Sequence, residues 1–85
     1  MPPSTAVADT VVEIVRHVSR RPVEPTLASD LVADLAFDSL QVMETIAELE
    51  DRFDITIPPD QVPGVRTVAD VAARVDALIA ARRSS

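Results

Sequence analysis

The chain lacks cysteine, so it cannot form a disulfide bond, a thiolate nucleophile or a cysteine-based metal site. Trp, Tyr and Lys are also absent, there is a single Gly, and the only histidine is His17. His17 lies at a polar position of a predicted helix, where we expect it to be solvated, and no second histidine is available to form a catalytic or metal-binding pair. A Gly-rich phosphate-binding loop is excluded as well. The sequence therefore predicts no catalytic residues, no bound metal and no enzymatic activity.

Apolar residues make up 47% of the 85 residues, and apart from two Phe and two Met they are Val, Ala, Leu and Ile. A chain of this length forms one small domain, near the lower limit for a single hydrophobic core. We expect that domain to span residues 1–85, with its core at about 7–80 and frayed ends. Small aliphatic side chains suit closely packed helices and leave an interior that can expand.

Charge is unevenly distributed along the chain, whose net charge is −6. Ten acidic residues fall between positions 24 and 60, where Arg52 is the one base. This acidic middle argues against binding to nucleic acid, whose phosphates need a basic surface, and favours partners with basic patches. No stretch is long enough to span a membrane, and the first nine residues do not resemble a secretory signal. We expect a cytoplasmic protein that does not bind membranes, and we expect it to be a monomer.

Helical periodicity is clear near both ends of the chain. The first helix is predicted from Ser4 or Thr5 to Arg20, and the last helix opens with the capping box Thr67-x-x-Asp70. The predicted apolar faces consist of Val7, Val11, Ile14, Val15 and Val18 in the first helix and of Val68, Val71, Ala72, Val75, Leu78 and Ile79 in the last.

A second helix is predicted from Ser39 to about Phe53. Asp38 is a good N-cap, because its carboxylate can accept hydrogen bonds from the free N–H groups of the first turn. Gln41 lies three residues further on, where its side chain can complete a capping box, and Phe37 and Val42 occupy the positions of a hydrophobic staple. The predicted buried row of this helix consists of Val42, Ile46, Leu49 and Phe53, widened by Met43 and Ala47.

The long loop after the first helix is opened by two prolines, Pro22 and Pro25. Leu27, Leu31 and Leu35 can hold this loop against the core, with a short helical turn at about Ser29–Leu35.

Residues 53–57 alternate apolar and polar side chains like a strand, but no second strand is available for pairing. We therefore expect an extended connection with Ile55 and Ile57 turned inward. Residues 58–62 could form one short helical turn that Pro63 and Gly64 stop. The predicted fold is all-α, a small antiparallel four-helix bundle of three main helices and one short helix, with a long first loop.

Ser39 occupies the first position of the predicted second helix. Its hydroxyl would lie beside the positive end of the helix dipole, where free N–H groups favour an anionic phosphate ester. This position suits the attachment of a phosphorylated group.

Three blocks of the sequence resemble the acyl carrier protein family. Asp38-Ser39-Leu40 resembles the attachment motif of that family, and 53–58 (Phe-Asp-Ile-Thr-Ile-Pro) resembles the segment after its second helix. The opening of its final helix is similar to 67–71 (Thr-Val-Ala-Asp-Val), and the spacing of the blocks fits as well. The resemblance covers roughly residues 7–80 and is nearest to the stand-alone, type II form.

The resemblance implies a carrier that is not itself an enzyme. Ser39 would receive 4′-phosphopantetheine from coenzyme A through a phosphopantetheinyl transferase that uses Mg²⁺, with Asp38 positioning the serine and the metal during loading. The terminal thiol of the arm would then carry acyl groups as thioesters, which agrees with the absence of cysteine from the chain. We expect a tethered acyl chain to fold back between the helices.

A polar stripe on the second helix is the predicted docking surface, made of Gln41, Glu44, Glu48 and Asp51. In this family the corresponding surface docks on basic patches of synthases, reductases and the transferase. Leu40 and Met43 lie near the arm and could add apolar contacts. A merely solvated face remains the alternative for the stripe.

Two departures from the family pattern leave the partners open. Ala36 stands where the family commonly has Gly, so a left-handed turn there is less favourable. Gln41 stands where the family often has an acid. Fatty-acid and polyketide carriers fit the sequence equally well.

Other functions stay possible at this point. An aminoacyl or peptidyl carrier of a nonribosomal pathway and a carrier-like interaction module that is never modified are the alternatives. Asp30, Asp34 and Asp38 lack the pattern of a calcium-binding loop.

Overall fold

The computed structural model describes residues 5–84, except for the side chain of Ser84, and these residues form four helices. Helix α1 spans Thr5–Val18, α2 spans Ser39–Phe53, a 3-10 helix spans Pro59–Gly64 and α3 spans Val68–Ser84. The predicted small four-helix bundle is confirmed. Helix α1 ends two residues before the predicted Arg20, and Ser4, the earlier of its two predicted starts, lies outside the described residues. No helix among residues 5–84 is both long and apolar enough to cross a membrane.

The core is centred on the contact of α1 with the other two long helices, whereas α2 and α3 contact one another less. The predicted apolar faces of α1 and α3 are confirmed at the positions that are most buried. Their side chains and Leu49 of α2 bury apolar surface, the main favourable term in the folding of a small domain. The fully or nearly fully buried aliphatic side chains are Val11, Val15, Leu49, Val68, Ala72 and Val75.

The long loop between α1 and α2 is held to the bundle in two of its three predicted places. Leu31 and Leu35 are buried, but Leu27 is 41% exposed, so its predicted anchoring role is wrong. Around these leucines the chain forms a turn over residues 31–35, in which the N–H of Leu35 donates to the carbonyl of Asp30. The Asp30 carboxylate caps this turn by accepting hydrogen bonds from the N–H groups of Val32 and Ala33. The predicted helical turn is therefore present but does not reach the length of a helix.

The same loop pairs with the segment that leads into α3. An isolated antiparallel bridge joins Asp30 to Thr67, and the N–H of Leu31 donates to the carbonyl of Arg66 at 2.9 Å. The Arg66 guanidinium in turn donates through Nε to the Asp30 carboxylate at 3.0 Å. This pairing could not be predicted from local sequence patterns, because its partners lie more than thirty residues apart. The pairing holds the first loop across the less closely packed side of the bundle, between α2 and α3. We call this the open side.

The connection from α2 to α3 follows the prediction except at its short helix. Residues 55–58 form neither helix nor strand, Pro58 is extended, and Ile57 is buried with its N–H donating to the Glu50 carboxylate at 2.8 Å. The short helix covers Pro59–Gly64, so Pro63 and Gly64 lie inside it and do not stop it after Val62. A 3-10 helix tolerates this, because Pro63 already has a helical φ and few internal hydrogen bonds are lost.

Ala36 adopts a left-handed conformation with φ of 57° directly before α2. In this conformation its N–H donates to the carbonyl of Val32, and the N–H of Phe37 donates to the carbonyl of Leu31. These hydrogen bonds close the turn as at the C-terminal end of a helix. The left-handed position of such an end is usually occupied by Gly. The strained residue lies three positions before Ser39 and sets the path by which the chain enters α2.

Candidate functional site

The start of α2 has the predicted capping geometry. Asp38 is extended, with φ of −94° and ψ of 179°, and its Oδ1 accepts a hydrogen bond from the N–H of Gln41 at 2.8 Å. The Gln41 side chain reciprocates, since its Oε1 accepts from the N–H of Asp38 at 3.2 Å. Phe37 is buried and Val42 packs on the same core, as a hydrophobic staple requires. Ser39 is therefore held at the first helical position by a rigid, fully formed cap.

Ser39 is exposed, and a cation lies close by. The guanidinium of Arg20 is 3.8 Å from Oδ2 of Asp38 and 3.8 Å from Oε1 of Glu44. The free N–H groups of the helix start and this guanidinium both stabilise negative charge. The residues present therefore fit a phosphate ester on the Ser39 hydroxyl. Sequence reasoning missed Arg20, because it follows α1 and approaches Asp38 only through the fold.

Gln41 does not lie on the exposed face of α2, so its predicted place in the docking stripe is wrong. It is only 6% exposed, and its Nε2 donates to the carbonyl of Val18 at the end of α1. Thr45, one turn further on, is 2% exposed, and its hydroxyl donates to the carbonyl of Gln41. Both polar residues can be buried because their hydrogen bonds are satisfied inside the bundle, Gln41 by α1 and Thr45 by its own helix. Helical spacing from the apolar row had placed Gln41 on the opposite side.

The exposed face of α2 combines acidic and apolar side chains. Glu44 and Asp51 are exposed, whereas Glu48 is partly buried and its Oε1 lies 3.5 Å from Nε2 of His17 on α1. Leu40 and Met43 are 56% and 65% exposed. The predicted exposure of His17 is confirmed.

Two predicted core positions on α2 are wrong. Met43 and Ala47 do not widen the buried row but are exposed, whereas Gln41 and Thr45 are buried. Met43 thus adds to an exposed apolar surface beside Ser39. The sequence predicts two roles for Met43, in the buried row and as an apolar contact near the arm, and its exposure agrees with the second.

A cavity of about 330 Å³ lies on the open side of the bundle. Its walls come from the first loop, α2, the segment around the 3-10 helix and α3. Most of the lining is aliphatic, and the polar residues in it are Asp30, Thr45, Arg66 and Arg74. The aliphatic lining consists of Leu31, Val32, Ala33, Val42, Ile46, Leu49, Ile57, Val62, Val65 and Val71.

Two aspartates have lowered pKa values, Asp30 in the cavity lining and Asp70 at the start of α3. The N–H of Ala33, the Arg66 guanidinium and the N–H of Val32 hold the pKa of Asp30 below its ordinary value of 3.8. The N–H groups of Thr67 and Arg66 lower the pKa of Asp70 in the same way, because Asp70 completes the predicted capping box of α3. Hydrogen bonds to a carboxylate favour its charged form. Both carboxylates are therefore charged at neutral pH, and their role is to hold the backbone around them.

Asp30, Asp34 and Asp38 do not converge on a metal ion. Among residues 5–84 there is no group of three metal-ligating side chains. Asp34 instead accepts a hydrogen bond from the N–H of Asp30 at 2.7 Å, while Asp38 caps α2.

The chain is similar to known proteins over most of its length. Residues 9–75 match the family model described as "Phosphopantetheine attachment site". The acyl carrier protein of Exiguobacterium sibiricum is 40% identical over 63 residues, which are 74% of this chain and 80% of the relative. The chain belongs to the acyl carrier protein family. Proteins of this family are carriers and not enzymes, and their prosthetic group is 4′-phosphopantetheine.

Solved structures of the same family share the fold. A proposed acyl carrier protein from Mycobacterium tuberculosis matches with a TM-score of 0.76 and 35% identity, over 81% of this chain and 93% of that one. The acetyl form of the actinorhodin acyl carrier protein from Streptomyces coelicolor matches with a TM-score of 0.66 and 25% identity, over 88% and 92%. Acyl carrier proteins are modified by phosphopantetheinyl transferases and interact with acyl-processing enzymes.

Proposed function

We propose that Ser39 carries the 4′-phosphopantetheine arm and that the chain presents acyl intermediates on it. The observation that carries this proposal is the exposed Ser39 at the first position of α2, held by the Asp38–Gln41 capping box. When bound, the group supplies the thiol that forms thioesters, which the cysteine-free chain lacks. Asp38 fixes the backbone of Ser39, while the helix N-terminus and Arg20 stabilise the negative charge of the phosphodiester.

The cavity between α2 and α3 supports an aliphatic cargo of fatty-acid or polyketide type. Its lining is mostly aliphatic, and Val42 and Ile46 extend it along α2 from the end at which Ser39 lies. Each CH₂ group that leaves water for this interior contributes roughly 0.8 kcal/mol. An aminoacyl or peptidyl cargo would gain less from such a lining, so it is the second candidate.

The exposed surface of α2 supports docking of partner enzymes through basic patches. Glu44 and Asp51 supply negative charge, and Leu40 and Met43 supply apolar contact next to Ser39. Charge complementarity of this kind accelerates encounter, while central apolar residues supply binding energy. Glu48 contributes less, since it is partly buried beside His17.

The attachment of the arm is tested by intact-mass spectrometry after incubation with coenzyme A, Mg²⁺ and a broad-specificity phosphopantetheinyl transferase. We expect one arm on the parent protein and on Ser29→Ala, a control that removes a serine from the first loop. Ser39→Ala should remain unmodified. An unmodified parent, or an arm on Ser39→Ala, would contradict the proposal.

A further inference from the structure

Arg74, a residue of the cavity lining, carries an unsatisfied hydrogen-bond donor. Its Nε atom is buried and has no hydrogen-bond partner within the described part of the chain. The residue lies on α3 and lines the cavity together with aliphatic side chains such as Val62 and Val71. A buried donor without an acceptor is costly, because it has lost its water and gained nothing in return. Such an atom indicates an acceptor that the isolated chain does not provide.

The Asp30 carboxylate, the Thr45 hydroxyl and the Nε of Arg66, which belong to other polar residues of the lining, already have partners. The Nε of Arg66 donates to the Asp30 carboxylate at 3.0 Å, and that carboxylate also accepts from two backbone N–H groups. The hydroxyl of Thr45 donates to the carbonyl of Gln41 at 2.8 Å. Among residues 5–84, Arg74 is thus the lining residue with a buried donor that has no partner.

The Nε–H of Arg74 can donate a hydrogen bond without burial of the whole charged guanidinium. The residue is only partly buried, and it also lines a second, smaller cavity with Gly64 and Asp70. Of its three guanidinium nitrogens, only Nε is buried without a partner. The guanidinium can therefore stay hydrated on its outer side while the Nε–H faces buried surroundings.

We propose that Arg74 Nε donates a hydrogen bond to a ketone or carboxylate oxygen of the acyl chain tethered at Ser39, so that the cavity favours oxygenated acyl chains over plain alkyl chains. This inference rests on the proposed attachment of the arm at Ser39. A plain alkyl chain fills the aliphatic space but leaves the donor unpaired. An acceptor oxygen at the right carbon satisfies the donor, and a charged guanidinium makes such a bond stronger than a neutral one.

The test is NMR of the Arg74 side-chain Nε–H in protein loaded with matched acyl groups. The probes are octanoyl, a series of oxo-octanoyl groups with the ketone at different carbons, and an eight-carbon chain with a terminal carboxylate. We expect at least one oxygenated chain to shift the Nε–H resonance downfield and to slow its exchange with solvent by about tenfold relative to octanoyl. That chain should also raise the melting temperature more than octanoyl does.

Two variants separate this inference from the carrier function. Arg74→Met keeps the length of the side chain but removes the donor, so the extra stabilisation by the oxygenated chain should disappear while octanoyl still stabilises. Arg83→Met, at an exposed position of the same helix, should behave as the parent. If every chain loads onto Ser39 but oxygenated and plain chains give the same Arg74 resonance and melting temperature, this inference is wrong and the carrier function stands. If no arm is added to Ser39, the proposed function itself is wrong.

Discussion

The two sides of the bundle differ in how completely they are packed. Where α1 meets α3, side chains such as Val11, Val15 and Val75 are fully buried. Where α2 faces α3, the helices contact one another less and leave a cavity of about 330 Å³ behind the first loop. Close packing is what stabilises a small core, and an unfilled space forgoes those contacts. Stability is therefore concentrated on the α1 side of the bundle, while the α2–α3 side is free to hold a ligand.

Two isoleucine truncations test most strongly this division of the bundle into a stable α1 side and a less packed α2–α3 side. Ile14 on α1 is 3% exposed, whereas Ile46 on α2 is partly buried and lines the cavity. Ile14→Ala should lower the free energy of unfolding by about 2–5 kcal/mol, as truncations of fully buried Ile do. Ile46→Ala should cost less than about 2 kcal/mol, because its side chain already borders empty space. Urea denaturation measures both values, and an equal or larger loss at Ile46 would contradict the division.

A charge reversal tests whether the exposed face of α2 is a docking surface. Glu44→Lys combined with Asp51→Lys should lower kcat/KM for loading by the transferase by about tenfold, because it replaces attraction to a basic patch with repulsion. Asp9→Lys combined with Glu13→Lys on α1 makes the same change in net charge and should have little effect. The stability of both variants should change by about 0.5 kcal/mol or less.

Loading by the parent should also weaken as salt is added, since screening reduces the reach of the charges to about 8 Å at physiological ionic strength. If the α1 control impairs loading as much as the α2 reversal, only net charge matters. If neither does, the face of α2 is merely solvated.

The smallest expected effect concerns the turn that leads into α2. Ala36→Gly removes a Cβ from a residue with φ of 57°, where an L-residue costs about 1–2 kcal/mol. Gly costs about 0.5–1 kcal/mol more to order, so the net stabilisation should be about 1 kcal/mol or less. Ala33→Gly, in the same loop but without a positive φ, should instead destabilise. Differential scanning calorimetry compares the two, and a lower melting temperature for Ala36→Gly would show that the turn is not strained.

Local signals explain which parts of the fold could be predicted. The start of α2 was predicted to the residue, because Asp38 and Gln41 form a cap that depends on a few neighbouring positions. The capping box of α3 was predicted for the same reason. The interior orientation of Ile57 was likewise evident from alternation and the absence of a partner strand.

What the sequence did not show depends on distant parts of the chain. Gln41 was placed on the surface by helical spacing, but the carbonyl of Val18 at the end of α1 provides a partner inside the bundle. The pairing of Asp30 with Arg66 could not be anticipated from either segment alone. Arg20 and Arg74 belong to the site only because the fold brings them to Asp38 and to the cavity.

A melting series on protein that carries acyl chains of increasing length at Ser39 tests most directly whether the α2–α3 side holds the cargo. We expect the melting temperature to rise with chain length and then level off once the cavity is full, with a gain of roughly 0.8 kcal/mol or less per CH₂. Val62→Phe narrows the cavity and should level off at a shorter chain. Equal melting temperatures for all chain lengths and for the bare arm would contradict the claim that the α2–α3 side holds the cargo.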